Sequence, residues 1–136
     1  MEKLLIDVSE HNGKIDWETV KNYIDGAIIR CGYGMDETNQ DDKQWKRNVA
    51  ECERLGIPFG VYLYSYATSK EKAKSEAQHV LRLINGHTLS YPVYFDMEEP
   101  GTEMYLLRMR RFLGILLKKR DIGAVFIAAK TGIRRL

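Results

Sequence analysis

The segment Pro92-Val93-Tyr94-Phe95-Asp96-Met97-Glu98-Glu99 places two carboxylates two residues apart at the end of an apolar run. On an extended strand, alternate side chains share a face, so Asp96 and Glu98 point the same way, about 7 Å apart along the chain. Two carboxylates facing one site repel, and one of them holds its proton to higher pH. One protonated and one ionised acid is the arrangement that acid-assisted glycoside cleavage uses. A lone pair of this kind can also be two solvated acids, since acids are mostly exposed. The apolar residues leading into this pair argue for a buried strand instead.

Other candidates sit at comparable places. Asp7 follows Leu4-Leu5-Ile6, and by itself it could equally be a turn-capping residue. Arg30 ends the apolar run Ala27-Ile28-Ile29. Tyr62, Tyr64 and Tyr66 alternate along one segment, so they share a face, either as core packing or as a wall on which sugars stack and hydrogen-bond. His11, His79 and His87 lack the spacing of a metal site, and no metal or cofactor is expected. Gly32-Tyr33-Gly34 lacks the full glycine fingerprint of a nucleotide loop.

The elements that position these residues can be read from periodicity. Strands are expected at Leu4–Ser9, Gly26–Cys31, Pro58–Tyr66, Tyr91–Met97 and Ala124–Ala129. Helices are expected at Trp17–Tyr23 (with Asp16 as N-cap), Lys43–Leu55 (with Gly56 as C-cap), Ser69–Ile84 and Met104–Lys119. Strands alternating with helices imply a parallel α/β fold, and near-continuous apolar strands imply that both faces are covered. In such folds ligands bind at the C-terminal ends of the strands, where Asp7, Arg30, Tyr66, Asp96 and Glu98 all fall.

Length and composition bound the rest. A chain of 136 residues with 44% hydrophobic and 29% charged residues suits one globular domain. No apolar run approaches the roughly 18–20 residues of a membrane span, and Met1-Glu2-Lys3 is not followed by a signal-peptide apolar core. Membrane insertion and nucleic-acid binding are not expected. Cys31 and Cys52 read as small buried hydrophobes, and Trp17 and Trp45 as core or helix anchors. Nine of the 21 Lys and Arg residues fall in 108–136, where Asp121 is the one acid, so residues 1–107 carry a net −6.

Four motifs together resemble the glycoside hydrolase family 25 lysozymes, the Chalaropsis-type muramidases. They are Asp7-Val8-Ser9 with Asn12-Gly13 and Ile15-Asp16-Trp17; Ile28 to Gly34; Gly56 to Ala67; and Tyr91 to Glu98. Their order is that of the family, the resemblance covers about residues 3 to 101, and the catalytic-domain portion is expected over residues 1–101. The resemblance implies an irregular β/α barrel, here incomplete with about five strands, that hydrolyses the β-1,4 bond between N-acetylmuramic acid and N-acetylglucosamine in peptidoglycan. It implies Glu98 as general acid, Asp96 as its partner carboxylate and Asp7 as a further acid, with Arg30, Tyr62, Tyr64 and Tyr66 on the substrate. Two acids on one strand face do not readily straddle a glycosidic bond. That spacing favours assistance by the substrate's own 2-acetamido group over a carboxylate nucleophile.

Residues 102–136 are expected to form a divergent basic tail, because the family's later acid has no counterpart there. Codons can be chosen for Lys118–Gly123 and Ala129–Arg134 that, read two nucleotides in, restore family-like text at the same offset. A shift of frame near 102–110 is therefore compatible with the tail, and a basic arm for anionic wall polymers is the alternative. Either way the expectation is an open barrel edge prone to self-association and a weakened enzyme. An inactive remnant and a non-catalytic glycan-binding module are the competing readings.

Overall fold

The computed structural model describes residues 3–99, together with the strand backbones at Ala124–Ile127 and Arg134–Arg135. Six strands form one parallel sheet: β1 (Leu5–Val8), β2 (Gly26–Tyr33), β3 (Phe59–Tyr64), β4 (Val93–Asp96), β5 (Ala124–Ile127) and β6 (Arg134–Arg135). Their order is β5-β4-β3-β2-β1-β6. Sequential parallel neighbours joined through helices are the units of a β/α barrel, and among the described residues the sheet does not close. The two-residue β6 beside Ile6 and Asp7 is not foreseen by the sequence. The helix expected at Met104–Lys119 lies outside the described residues.

Three helices connect the first four strands. In α1 (Trp17–Val20), Asp16 caps the start by accepting from the Thr19 N–H. The expected helix to Tyr23 is split, its last turn continuing as 3-10 at Lys21–Tyr23. Gly56 closes α2 (Trp45–Leu55) in the left-handed conformation at φ 69°, where a side chain would be strained. Ser69 caps α3 (Lys70–Ile84) by accepting from the Lys72 N–H.

The strand registers sort the side chains onto two different faces. Val8, Ile29, Val61 and Val93 lie in one row, and Leu63 and Phe95 pair beside it. These residues join Trp17, Trp45, Val49, Ala77 and Val80 from the helices in one buried core. The alternate rows hold Asp7 with Ile28, Arg30 with Tyr62 and Tyr94, and Tyr64 with Asp96. The strands are buried nearly throughout, as expected when both faces are covered, and the polar side chains are confined to one of the two faces. One face packs on helices, and the other gathers the polar residues of a single region.

A bulge in β2 helps set this arrangement. The pairing with β3 shifts between Arg30 and Gly32, so Arg30 pairs with Tyr62 while Gly32 pairs with Leu63. Gly32 therefore faces α3, where a Cβ would come within 2.8 Å of the His79 ring and 2.6 Å of the Gln40 carbonyl. Only glycine allows that approach. Cys31 and Cys52 are buried free thiols, and burial pushes Cys52 up to about 12.

Candidate functional site

A pocket of about 350 Å³ opens at the C-terminal ends of β1 to β4. It is lined by Asp7, Arg30, Tyr62, Tyr64, Tyr66, Asp96 and Glu98, which brings together all seven candidate residues, and also by Ser9, His11 and Asn12. Asp7 and Asp96 are buried, whereas Glu98, two residues beyond the end of β4, is exposed. The two acids of the Asp96–Glu98 pair thus sit in unlike surroundings, one in the sheet and one at the rim.

The β1–β2 side is built on ions. The Arg30 Nε donates to Asp42 Oδ2 at 2.8 Å, and its Nη2 donates to Glu10 Oε1 at 3.0 Å. Asp42 also accepts the backbone N–H groups of Glu10 and Gln44 at 2.9 Å each. Burial works against the charged guanidinium, but the bond and charge of Asp42 outweigh it and leave Arg30 with a raised pKa. The guanidinium lies 5.5 Å from the centre of the Tyr33 ring. Arg30 thus lines the pocket with its fork held from behind.

Ser9, His11 and Asn12 come from a single 3-10 turn, Glu10–Asn12, closed by a reciprocal cap. The Ser9 N–H donates to Asn12 Oδ1, and the His11 N–H donates to Ser9 Oγ. From sequence, His11-Asn12-Gly13 reads as a plain turn. The turn is there, and it presents its side chains to the pocket.

The β3–β4 side is aromatic. Tyr62 is buried, and burial together with the charge of Asp7 raises its pKa. Tyr64 donates its hydroxyl to Glu99 at 3.0 Å, and its pKa is raised by burial, by that bond and by the charges of Glu99 and Glu98. Tyr66 is 48% exposed, tilted against Tyr64 at 5.2 Å and edge-on to Tyr33 at 6.3 Å. The strand expected to reach Tyr66 ends at Tyr64, because beyond the last ladder bond, made by Ser65, the Tyr66 N–H turns away from β4. Ser65 donates to the Asp96 carbonyl and Tyr66 donates to Glu76.

Three supporting residues escape sequence reading: Glu10, Asp42 and Glu76. Glu76 carries a usable signal. It falls on the same helical stripe as Ala73, Ala77 and Val80, an apolar face where an acid is out of place. Among the described residues, no group of three His, Cys, Asp or Glu side chains could hold a metal ion. Nor is any helix among them long and apolar enough to cross a membrane.

Comparison with known proteins adds an independent line. The model of glycosyl hydrolases family 25 matches residues 6–126. Among solved structures, the modular autolysin LytC of Streptococcus pneumoniae is 33% identical at a TM-score of 0.78, over 91% of this chain and 32% of LytC. LytC has also been solved with a synthetic peptidoglycan ligand. The catalytic domain of an endolysin from bacteriophage P40 of Listeria monocytogenes is similar in fold, at TM-score 0.79 and 17% identity over 93% of this chain and 63% of that one. A bacterial lysozyme from Streptomyces coelicolor gives TM-score 0.72 at 21% identity, over 93% and 64%. The chain therefore spans less than two thirds of the length of each. Comparison with curated proteins gives no match.

Proposed function

The chain belongs to the glycosyl hydrolases of family 25, and from that premise we propose that it serves lysozyme-type hydrolysis of the β-1,4 bond between N-acetylmuramic acid and N-acetylglucosamine in peptidoglycan. The observation that carries this reading is the shared pocket: three carboxylates, Asp7, Asp96 and Glu98, line the same space as a wall of three tyrosines.

The roles follow from the surroundings. Glu98, exposed at the rim, gives its proton to the leaving glycosidic oxygen as the bond to the anomeric carbon breaks. The oxygen of the substrate's 2-acetamido group attacks that carbon from the other side and forms a cyclic oxazolinium. Asp96, buried at the strand end, orients the acetamido N–H and stabilises its positive charge. Water then opens the ring and returns its proton to Glu98. Asp7 adds negative potential on the β1 side. Tyr62, Tyr64 and Tyr66 provide stacking and hydrogen bonds to the sugars, and Arg30 fixes the opposite side.

The test is Glu98→Gln, which removes the proton donor at nearly constant volume. Clearing of a peptidoglycan suspension should fall by about 10²–10⁴, the usual worth of a general acid. Clearing that survives the substitution would rule out Glu98 as the acid. Binding to insoluble peptidoglycan without any clearing by the unsubstituted chain would replace the enzymatic reading with a binding one.

A further inference from the structure

Beside the pocket, on the far side of Tyr66, lies a second hollow of about 300 Å³ lined by Tyr33, Gly34, Met35, Gln40, Tyr66, Lys72 and Glu76. Glu76 is an acid on a helix that the proposed reaction does not use, and it is fully buried. Its two oxygens are both engaged at the exit of β3. Ser65 Oγ donates to Oε1 at 2.6 Å, and the Tyr66 N–H donates to Oε2 at 2.9 Å. Ser65 Oγ also accepts the Ala67 N–H at 3.2 Å. The Ser65 N–H in turn donates to the carbonyl of Asp96 at 2.8 Å. One side chain on α3 thus ties down the turn that carries Tyr66 and, through Ser65, the backbone of Asp96.

We propose that Glu76 is a positioning residue for the sugar-binding wall, fixing Tyr66 and the end of β4 from behind the pocket. This rests on the glycan reading of the pocket given above.

The chemistry makes the role dependent on pH. Burial favours the neutral carboxyl and outweighs the bonds from Ser65 and Tyr66, raising Glu76 to about 7. Lys72, on the same helix, draws it slightly the other way. The end of β2 and its following loop offer Tyr33 and Gln40 to the shared hollow, and the β3 exit offers Ser65 and Tyr66. When neutral, Glu76 can donate to Ser65 Oγ while still accepting from Tyr66. Glutamine can make that same pair of bonds at every pH, and alanine can make neither.

The experiment follows the Tyr66 amide by NMR across pH and measures binding of a soluble peptidoglycan tetrasaccharide. In the unsubstituted chain the Tyr66 amide should titrate with a midpoint near 7. Glu76→Gln should erase that step and keep the affinity, while Glu76→Ala should weaken binding about tenfold, as for a lost buried hydrogen bond. A Tyr66 titration that persists in Glu76→Gln would overturn the proposal, as would a folded Glu76→Ala chain of unchanged affinity. A chain that binds no tetrasaccharide, yet loses the Tyr66 titration in Glu76→Gln, would overturn the glycan reading and support the positioning role.

Discussion

On the β1–β2 side of the pocket, the buried acid Asp42 meets a cation, Arg30, at 2.8 Å. On the β3–β4 side, the buried acid Glu76 takes its hydrogen bonds, among the described residues, from a hydroxyl and a backbone N–H. Both acids do the same work, since each pins a segment that carries pocket residues. The difference lies in charge. A compensated pair is stable over a wide pH range but depends on both partners. A carboxyl held by neutral groups stays in place by giving up its charge, and so it depends on pH.

The largest expected effect comes from breaking the compensated side. Asp42→Ala leaves the Arg30 guanidinium without its main partner in a site where only 10% of its side chain is exposed. Losing one member of a buried ion pair costs about 3–5 kcal/mol. Urea unfolding of the variant measures it, and a cost below about 1 kcal/mol would show that solvent reaches Arg30 freely.

The uncompensated side is tested by pH alone. The folded value of Glu76 is raised above its ordinary 4.5 to about 7, so the folded chain holds a proton that the unfolded chain has released in between. Its contribution is full below about 4.5 and is lost as pH rises through about 7. Thermal stability should therefore fall across that window, by roughly 1–3 kcal/mol, and Glu76→Gln should flatten the fall. An unchanged slope in that variant would assign the pH dependence to other groups.

The smallest effect on stability is expected at the wall itself. Tyr66 is half exposed, so Tyr66→Ala should cost less than about 1 kcal/mol in stability. Binding of the tetrasaccharide should nevertheless weaken measurably, because a stacking surface is gone. Calorimetric melting and titration of the same variant separate the two. Equal losses in both would make Tyr66 a structural residue and not a wall.

The contrast also marks what can be read from the chain before folding. Asp7, Arg30, Tyr62 and Asp96 are legible because strand periodicity and the apolar runs before them fix their places. Glu98 is expected from Asp96 by strand alternation, but β4 ends at Asp96 and Glu98 reaches the same pocket from beyond the strand. Asp42 and Glu10 reach Arg30 from 12 and 20 residues away, and no local pattern announces such a meeting. Glu76 follows Lys70, Glu71, Lys72 and Lys74 in α3, so it reads as one more solvated charge unless its place on the apolar stripe is weighed. The end of β3 at Tyr64 is illegible for the same reason, since the group that draws Tyr66 away is 10 residues on. A two-residue pairing such as β6 has too few side chains to show a period at all.

The bulge at Cys31 has a consequence for anyone who aligns or edits this strand. Side-chain facing repeats every two residues, so one extra residue resets the phase. Counted as a regular strand from Arg30, Gly32 would fall in the pocket row and Tyr33 in the helix row. The pairing places them the other way round, with Gly32 beside Leu63 and Tyr33 beside Tyr64. Deleting Cys31 would therefore leave both of those partners in step, and the sheet itself would tolerate the loss. What would go is a backbone acceptor, because the Cys31 carbonyl takes the Asp42 N–H at 2.8 Å. The spare residue is a mooring point for the loop that brings Asp42 to Arg30. A one-residue gap there would spare the ladder and cast off the counter-ion, an outcome that no count of strand residues would foretell.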